Sequence, residues 1–338
     1  MTYHFLRLTK PVKSSVYNTY WKFAVKRNNV FLNRLEDPNG PWTDDHILKK
    51  NRFTNVFRAS DRVSQYLIDL QYQNPDNLED VFFKTILFKI FNKIETYRYL
   101  ERELGEINYS TFSVNRYDDL LTLRMAQKYR NYSAAYIMPS AGKRFGYRLK
   151  HSNHLALIEL MMKDRLYETI ANCHSLEDVY RALLSYPSIG SFLAFQYAID
   201  INYSKVCRFS EMDFVVAGPG AKNGIIKCFT SLGDYSLEDI IRMMADNQTE
   251  ECMQLNLPVP TLWGRQLQLI DCQNLFCEVD KYLRVTNPEL SGASGRTRIK
   301  QKFKAAKEPI QYFFPPEWGL NQKIKRPCPT IANADIFS

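Results

Sequence analysis

Asp213 is the side chain whose type and position first indicate chemistry. It follows the stretch SYPSIGSFLAFQYAID, in which Pro187 begins a turn and Gly190 ends it before an apolar helix. Free amide groups at the start of such a helix bind phosphate, so the turn can hold a DNA backbone without recognising its sequence. A carboxylate placed beyond that helix can stabilise a cationic sugar or orient water. Capping of the next helix is the alternative role for Asp213. Glu211 is a possible second carboxylate, and Asp200 is a weaker candidate.

Groups near this turn and in the C-terminal region suit contacts with phosphate. The donors are backbone amides of the turn and of the segment GPGAKNG, together with basic side chains nearby and near the C-terminus. The residues expected to contact the DNA backbone are Ser188, Gly190, Ser191, Gly218, Gly220, Lys222, Arg296, Arg298 and Lys300.

Polar side chains of two other segments are candidates for contacts with a base. Residues 53–70 predict a helix whose polar residues recur about once per turn, where Asn and Gln can recognise a base edge and Arg can fill a vacated stack. Residues 267–284 predict a second helix with polar residues spaced four and three apart. The candidates for the base pocket or for insertion into the duplex are Asn55, Arg58, Asp61, Arg62, Gln65, Asn274, Glu278, Lys281 and Tyr282. Ion pairs within each segment are the structural alternative.

The charge of the chain favours a polyanionic partner. Its 45 Lys and Arg residues outnumber 36 Asp and Glu residues, which gives a formal charge of +9. Residues 291–326 alone carry nine basic and two acidic residues, so the excess is concentrated there. We place nucleic acid ahead of a membrane surface as the partner, with a solvated basic face as the alternative. The 14% aromatic content suits base stacking as well as core packing.

Several function classes lack their signature in this sequence. The seven cysteines form no CxxC pair, and with no secretory signal they are typical of reduced thiols in a cytoplasmic protein. No uncharged apolar run approaches the ~20 residues of a membrane span. There is no GxxxxGK[ST] phosphate loop and no His and Cys set with zinc spacing. We therefore expect a cytoplasmic monomer without metal or cofactor.

The elements that position these residues are helices. Apolar residues recur at helical spacing over most of the chain, interrupted near residues 132–149, where Pro139, Gly142 and Gly146 indicate a loop. The sequence predicts a mainly α protein with a glycosylase-like helical domain over residues 1–290. We expect two lobes with a cleft between them, and a helical hairpin at about residues 185–192. Residues 291–338 are a basic C-terminal extension.

The hairpin resembles the L-P-G-x-G element of the helix-hairpin-helix DNA glycosylases. Tyr186 stands at the Leu position and Ser188 at the first Gly position. The resemblance implies a catalytic role for Asp213. Phe192 occupies the position of the Schiff-base lysine of bifunctional members, so lyase chemistry by that route is not expected. The cysteines lack the spacing of the iron–sulfur cluster that some relatives carry.

Three blocks together resemble a narrower family, the α-glutamyl/putrescinyl-thymine pyrophosphorylases, whose domain is also called the 5-hydroxymethyl-dUMP DNA kinase helical domain. The blocks are residues 41–68, 188–225 and 267–284, and the resemblance covers roughly residues 15–305. It implies a glycosylase-like fold. Some phage members attach amino acids to an activated thymine methyl group in DNA, and a bacterial branch excises bulky modified bases of phage DNA.

This resemblance leaves three functions open, each with double-stranded DNA containing modified bases as the partner. The one favoured by the position of Asp213 is a monofunctional glycosylase that flips out a bulky or glucosylated pyrimidine and hydrolyses its N-glycosidic bond, in antiphage defence. The alternative is a transferase that attaches an amine or amino acid to activated 5-hydroxymethyluracil in DNA. The third is a non-catalytic DNA-binding module.

Overall fold

The computed structural model describes residues 8–136, 138–290, 298–305 and 309–324, and its architecture confirms the predicted mainly α class. The strands in these ranges, β1 (Val12–Lys13) and β2 (Phe229–Ser231), form one antiparallel pair. The helices before the predicted hairpin are α1 (Tyr17–Glu36), α2 (His46–Lys50), α3 (Arg62–Tyr72), α4 (Leu78–Phe91), α5 (Ile94–Leu104), α6 (Val114–Ala126), α7 (Gly142–Phe145), α8 (Lys150–Lys163) and α9 (Leu166–Ala171).

The hairpin and the helices that follow it complete the fold. These helices are α10 (Leu176–Leu184), α11 (Ser191–Asn202), α12 (Pro219–Cys228), α13 (Leu237–Asp246), α14 (Gln248–Gln254) and α15 (Leu269–Thr286). Two short 3₁₀ turns lie at Arg58–Ser60 and Pro316–Trp318. No helix in the described part of the chain combines the length and apolar character that a bilayer crossing needs.

Helix α4 lies at the centre of the core because its buried residues are mostly apolar, with Lys84, Thr85 and Lys89 as the polar exceptions. All of its residues from Val81 to Phe91 are buried, and it contacts α3, α5, α8, α9 and α11. Apolar residues recur at helical spacing on both sides of Asn92, which predicts one continuous helix, but α4 ends there because Asn92 adopts a left-handed conformation with φ +48°. Asn tolerates that conformation better than most residues, so it ends α4 and lets α5 begin two residues later.

The predicted hairpin is present as α10, a turn and α11, which pack against each other. Ser188 in the turn has φ +64°, the left-handed conformation that glycine adopts most readily. It therefore takes the backbone conformation of the glycine whose place it occupies in the L-P-G-x-G pattern. Gly190 is the N-cap of α11 and supplies no side-chain cap, so amide groups at this helix start are left for another partner.

Helix α12 approaches α15 so closely that only glycine fits at their contact. A Cβ atom on Gly224 would lie 2.1 Å from the carbonyl oxygen of Phe276. A buried ion pair joins the same helices, because Asp280 of α15 accepts from Lys227 of α12 at 3.0 Å, and Asp280 also pairs with Arg284. The contact fixes the start of α12 beside the hairpin, where Gly218 packs against the ring of Phe192.

A buried carboxylate connects α11 to two other parts of the core. Asp200 is fully buried and lies 2.7 Å from Arg58 Nη1 and 2.9 Å from Lys89 Nζ. Burial alone would raise the pKa of Asp200, but the charges of Arg58 and Lys89 outweigh that effect and hold it below its usual value. Burial lowers the pKa of Lys89, although Asp200 opposes the change. The carboxylate is therefore the counter-ion for two cations that have no access to water.

The described part of the C-terminal extension packs against the helical body. Residues 298–305 run beside residues 49–52, with an antiparallel bridge between Asn51 and Lys302. Further along, the guanidinium of Arg265 lies over the ring of Trp318, at 3.9 Å, and Trp318 packs edge to face against Tyr203. The extension thus contributes to the surface of the fold next to the segment that follows α2.

Replacing Asp200 by Asn should destabilise the fold strongly, because Arg58 and Lys89 would keep their charges in the core without a counter-ion. We expect the free energy of unfolding to fall by about 3–5 kcal/mol, measured by urea denaturation. Asp213→Asn is the matched control, since that side chain is exposed, and it should change stability by no more than about 0.5 kcal/mol. Equal stabilities of the two variants would contradict the counter-ion role of Asp200.

Candidate active-site cleft

A cleft of about 560 Å³ collects basic and aromatic side chains from five parts of the chain. They are α1, the segment from Trp42 to Val63, the junction of α4 and α5, the loop at 130–134, and the C-terminal extension. Its basic residues are Arg27, Arg34, Arg52, Arg62, Lys93, Arg130, Lys302 and Lys304, and its acidic residues are Asp61 and Glu95. Its aromatic residues are Phe31, Trp42, Phe53, Tyr132, Phe303 and Tyr312.

The lining of this cleft carries a formal charge of +6, from eight basic and two acidic side chains. A concave surface with one predominant sign of charge concentrates ligands of the opposite sign. The aromatic rings among the cations offer faces on which bases can stack. The cleft is therefore suited to a nucleic acid or to another ligand that carries several phosphates.

Asp61 is the carboxylate of this cleft whose environment suits proton transfer. Burial raises its pKa to about 6, and the nearby negative charge of Glu278 adds to the increase. The Asn55 N–H, which donates to Asp61 at 2.9 Å, and the charge of Arg27 act in the opposite direction. A carboxyl group with a pKa near 6 is a stronger base than an ordinary one and is still mostly ionised at neutral pH.

A second cavity of about 190 Å³ adjoins the cleft. Five residues line both spaces: Arg27, Val30, Trp42, Phe53 and Phe303. The remaining walls of the smaller cavity come from residues 41–51, and the surface of the cavity as a whole is mainly apolar. Arg27 donates from Nη2 to the side-chain oxygen of Asn55, whereas its buried Nη1 has no hydrogen-bond partner among the described residues. A guanidinium with a free donor thus lies at the border of the two cavities.

Three of the residues predicted for the base pocket line the cleft, namely Asn55, Asp61 and Arg62. They do not share one helix as the sequence predicted. Asn55 precedes the 3₁₀ turn, Asp61 is the N-cap of α3, and Arg62 is its first residue. The polar groups of Asn55 bond to Arg27, Asp61 and the carbonyl of Ser60, so this segment is folded around its own side chains.

Two residues predicted for the same pocket are instead buried in the protein. Arg58 pairs with Asp200, which replaces the surface cluster with Asp61 that the sequence left open as an alternative. Gln65 is 5% exposed, donates to the carbonyl of Ala59 and accepts from the N–H of Phe313. Both side chains lie in the core beneath the wall of the cleft and stabilise it.

The predicted face of α15 lies beside the cleft and does not line it. Glu278 and Lys281 form the ion pair that the sequence offered as the alternative, at 2.8 Å. Glu278 also accepts from the N–H of Thr54, and Tyr282 donates its hydroxyl to Asp45. Asn274 is partly exposed on the same helix. These contacts connect α15 to the segment that carries the cleft residues.

The structure places Asp213 in an exposed turn before α12. It does not cap that helix, whose N-cap is Gly218. Its carbonyl accepts from Arg242, and it is absent from the lining of both cavities. A catalytic role for Asp213 therefore remains a prediction that no contact in the described structure supports.

The residues predicted to contact the DNA backbone lie in several parts of the fold. Ser188, Gly190 and Ser191 lie at the surface of the hairpin turn, and Gly220 and Lys222 lie at the start of α12. Gly218 is buried against Phe192, so its place in the fold is explained by packing. Arg298 and Lys300 are exposed beside the cleft-lining part of the extension. Arg296 lies outside the described residues.

Apart from Arg62, the basic residues of the cleft were not predicted as residues of a site. They are Arg27, Arg34, Arg52, Lys93, Arg130, Lys302 and Lys304, which come from separate elements. The excess charge after residue 291 signalled the last two, whereas the others share no spacing from which the cleft could be recognised. Within the described ranges, the structure has no group of three or more His, Cys, Asp or Glu side chains suited to a metal ion.

Comparison with known proteins gives two matches. Residues 14–292 match the family described as 5-hmdU DNA kinase, helical domain. The chain is also 28% identical over 335 residues to the 5-hmdU DNA kinase of Bacillus phage SP10, and the alignment covers 92% of this chain and 52% of that protein. The chain thus spans about half the length of this curated relative. No solved structure matches the chain.

Removing single cations from the cleft should weaken DNA binding in a salt-dependent way. Arg52 and Lys304 are exposed at its rim. The steepness of the plot of log K for DNA binding against log salt concentration should therefore fall in Arg52→Ala and in Lys304→Ala. The expected decrease is about 0.9 for each phosphate that the side chain neutralises. Fluorescence anisotropy with duplex DNA measures this. Lys163→Ala is the control, because Lys163 pairs with Glu159 outside the cleft. Equal slopes for all three variants and the unaltered protein would place the DNA elsewhere.

Proposed function

The chain belongs to the 5-hmdU DNA kinase helical-domain family, and from this membership we propose that it modifies 5-hydroxymethyluracil in DNA. The reaction is a transfer at the 5-hydroxymethyl substituent of the base. In the form we favour, an amine or amino acid replaces a pyrophosphate group carried by that substituent. The name of the phage relative supports the substrate, since it specifies 5-hmdU in DNA.

The observation that carries the proposal is the cleft with its charge of +6 and the carboxylate of Asp61, whose pKa is raised. DNA brings one negative charge per phosphate, and an activated base brings further charges on its substituent. Cations that are already in place when negative charge develops stabilise a leaving phosphate without having to reorganise. The aromatic side chains hold the base that must leave the duplex stack before it can react.

Asp61 has the properties of the general base for this reaction. The incoming amine attacks the methylene carbon, the bond from carbon to oxygen breaks, and pyrophosphate leaves with that electron pair. The attacking nitrogen must lose a proton, and a carboxylate with a pKa near 6 accepts it. Arg27 and the other cations of the cleft then lie where the pyrophosphate carries its charge.

Phosphoryl transfer to the hydroxymethyl oxygen is the second candidate, because the phage relative is named a kinase. In that reaction Asp61 takes the proton of the hydroxyl group and the cations of the cleft bind a nucleoside triphosphate. The sequence contains no GxxxxGK[ST] motif, so the phosphates would be held by side chains of the cleft rather than by such a loop.

The comparisons favour these transfer reactions over the glycosylase hypothesis. A glycosylase breaks the bond between base and sugar, whereas both matches are named for a kinase of a modified deoxynucleotide in DNA. The exposed position of Asp213 adds no support for hydrolysis at the sugar. A role in antiphage defence has no support from either match.

Three reactions with one duplex test the proposal. DNA containing 5-hydroxymethyluracil is incubated with ATP, and its pyrophosphorylated form is incubated with putrescine or with glutamate, followed by digestion to nucleosides and mass spectrometry. An intact base carrying the amine supports substitution, and an intact base carrying a phosphoryl group supports the kinase reaction. Free base and abasic sites would support the glycosylase, and unchanged DNA in all reactions would contradict any enzymatic function at this base. Duplex with thymine is the control.

Asp61→Asn should abolish most of the turnover while leaving DNA bound. Asn keeps the oxygen that accepts from the Asn55 N–H, so the fold around it is retained, but it cannot accept a proton. We expect kcat to fall about 10²–10⁴-fold, with DNA affinity changed less than about twofold. In the unaltered protein, kcat/KM should rise with pH through about 6, since the base of the free enzyme must be ionised. An unchanged pH profile in Asp61→Asn would exclude Asp61 as the base.

A further inference from the structure

We propose that the C-terminal extension determines the specificity of the cleft, because Phe303 closes a smaller cavity that takes the pyrimidine ring of the displaced nucleotide. This inference deepens the proposed function and rests on it. The family match ends at residue 292, so Phe303 lies outside the matched helical domain. The larger basic cleft then receives the substituent of the base and its phosphates.

The position of Phe303 is fixed by main-chain hydrogen bonds. Its N–H donates to the carbonyl of Lys50 at 3.1 Å, and the N–H of Arg52 donates to the carbonyl of Gln301 at 3.1 Å. The side chain of Lys302 donates to Asn51 at 3.1 Å. This short pairing holds residues 301–303 against the segment after α2, so the ring of Phe303 is placed before any ligand binds.

A second attachment holds the extension at the opposite side of the cleft. The N–H of Phe313 donates to the buried Gln65 at 2.8 Å, and its ring packs on that of Tyr72 at 5.2 Å. The neighbouring Tyr312 lines the cleft and packs edge-on against Phe31 at 5.4 Å. The extension thus contributes walls at two separate points of one cleft, and each point is held by hydrogen bonds to the helical body.

The size and lining of the smaller cavity fit a single aromatic ring. Its volume of about 190 Å³ equals roughly six times the ~30 Å³ that one water molecule occupies in the liquid. Trp42 and Phe303 stand at right angles with ring centroids 6.0 Å apart, and Phe53 adds a third ring. Walls of this kind favour a planar base and offer little to a phosphate or a sugar.

The border between the two cavities explains how the ring and its substituent are separated. Arg27, Trp42, Phe53 and Phe303 line both spaces, so a ring in the smaller cavity directs its edge towards the larger one. At that border Arg27 donates from Nη2 to Asn55, and the N–H of Asn55 donates to Asp61, whereas the buried Nη1 of Arg27 has no partner among the described residues. A substituent reaching past Arg27 enters the part of the cleft that holds the carboxylate.

The test compares variants at residue 303 on duplex containing 5-hydroxymethyluracil and on unmodified duplex. Phe303→Leu removes the ring and keeps an apolar side chain, whereas Phe303→Tyr keeps the ring. We expect Phe303→Leu to lower kcat/KM for modification about ten- to hundredfold, and Phe303→Tyr to stay within about threefold. Affinity for unmodified duplex should change less than about twofold in both. Permanganate oxidation of a thymine at the target position, which reports displacement from the stack, should fall in Phe303→Leu alone.

Tyr147→Ala is the control for removal of an exposed aromatic ring, since Tyr147 is 51% exposed and lines neither cavity. Circular dichroism confirms that each variant is folded, and the comparison of Leu with Tyr keeps the fold constant. Unchanged kcat/KM and permanganate reactivity in Phe303→Leu, with the unaltered protein active, would overturn the role of Phe303 and leave the proposed function standing. An unaltered protein that modifies no DNA would instead overturn the proposed function, whatever the permanganate result.

Discussion

The carboxylate of Asp200, buried between Arg58 and Lys89, is the interaction on which the geometry of the cleft depends. Two cations without water would destabilise the core by several kcal/mol if one buried anion did not bind both. Lys89 also donates to Asn92, which lines the cleft, and Arg58 lies three residues before Asp61. The ion pairs therefore hold α11 and two walls of the cleft at fixed distances from each other.

The cations of the core and those of the cleft differ in the number of carboxylates beside them and in their access to water. Inside, Asp200 and Asp280 each form ion pairs with two basic side chains, and those four basic residues are buried or nearly so. In the cleft, eight basic side chains face two acidic ones in a space open to water. Each of those buried cations thus contacts a carboxylate, whereas in the cleft the basic side chains outnumber the carboxylates where solvent or a ligand can supply the anions. That contrast is the physical reason for assigning the cleft to a polyanion.

The sequence predicted the elements better than their assembly. Helical spacing located the mainly α body, and Pro187 and Gly190 marked the turn at Ser188. The break at Asn92 was missed because a left-handed residue in an apolar run leaves no mark in hydrophobic periodicity. Arg58 was assigned to a base pocket because nothing in the sequence around it indicates its partner, Asp200, which lies 142 residues away along the chain. Contacts at that separation depend on how helices pack, and spacing within one segment does not encode them.

The same limit separates Asp213, the carboxylate that the sequence favoured, from Asp61, the carboxylate on which the proposed reaction is based. The case for Asp213 depended on its distance from the hairpin, which is a property of the sequence alone. Asp61 stood among several polar residues, and its distinction comes from burial, which raises its pKa to about 6 even though Arg27 opposes that shift. A phosphate bound beside Arg27 offsets the opposing charge and excludes water, so the pKa of Asp61 rises further. In the proposed reaction this makes Asp61 a stronger base in the complex with DNA, when a proton has to be removed.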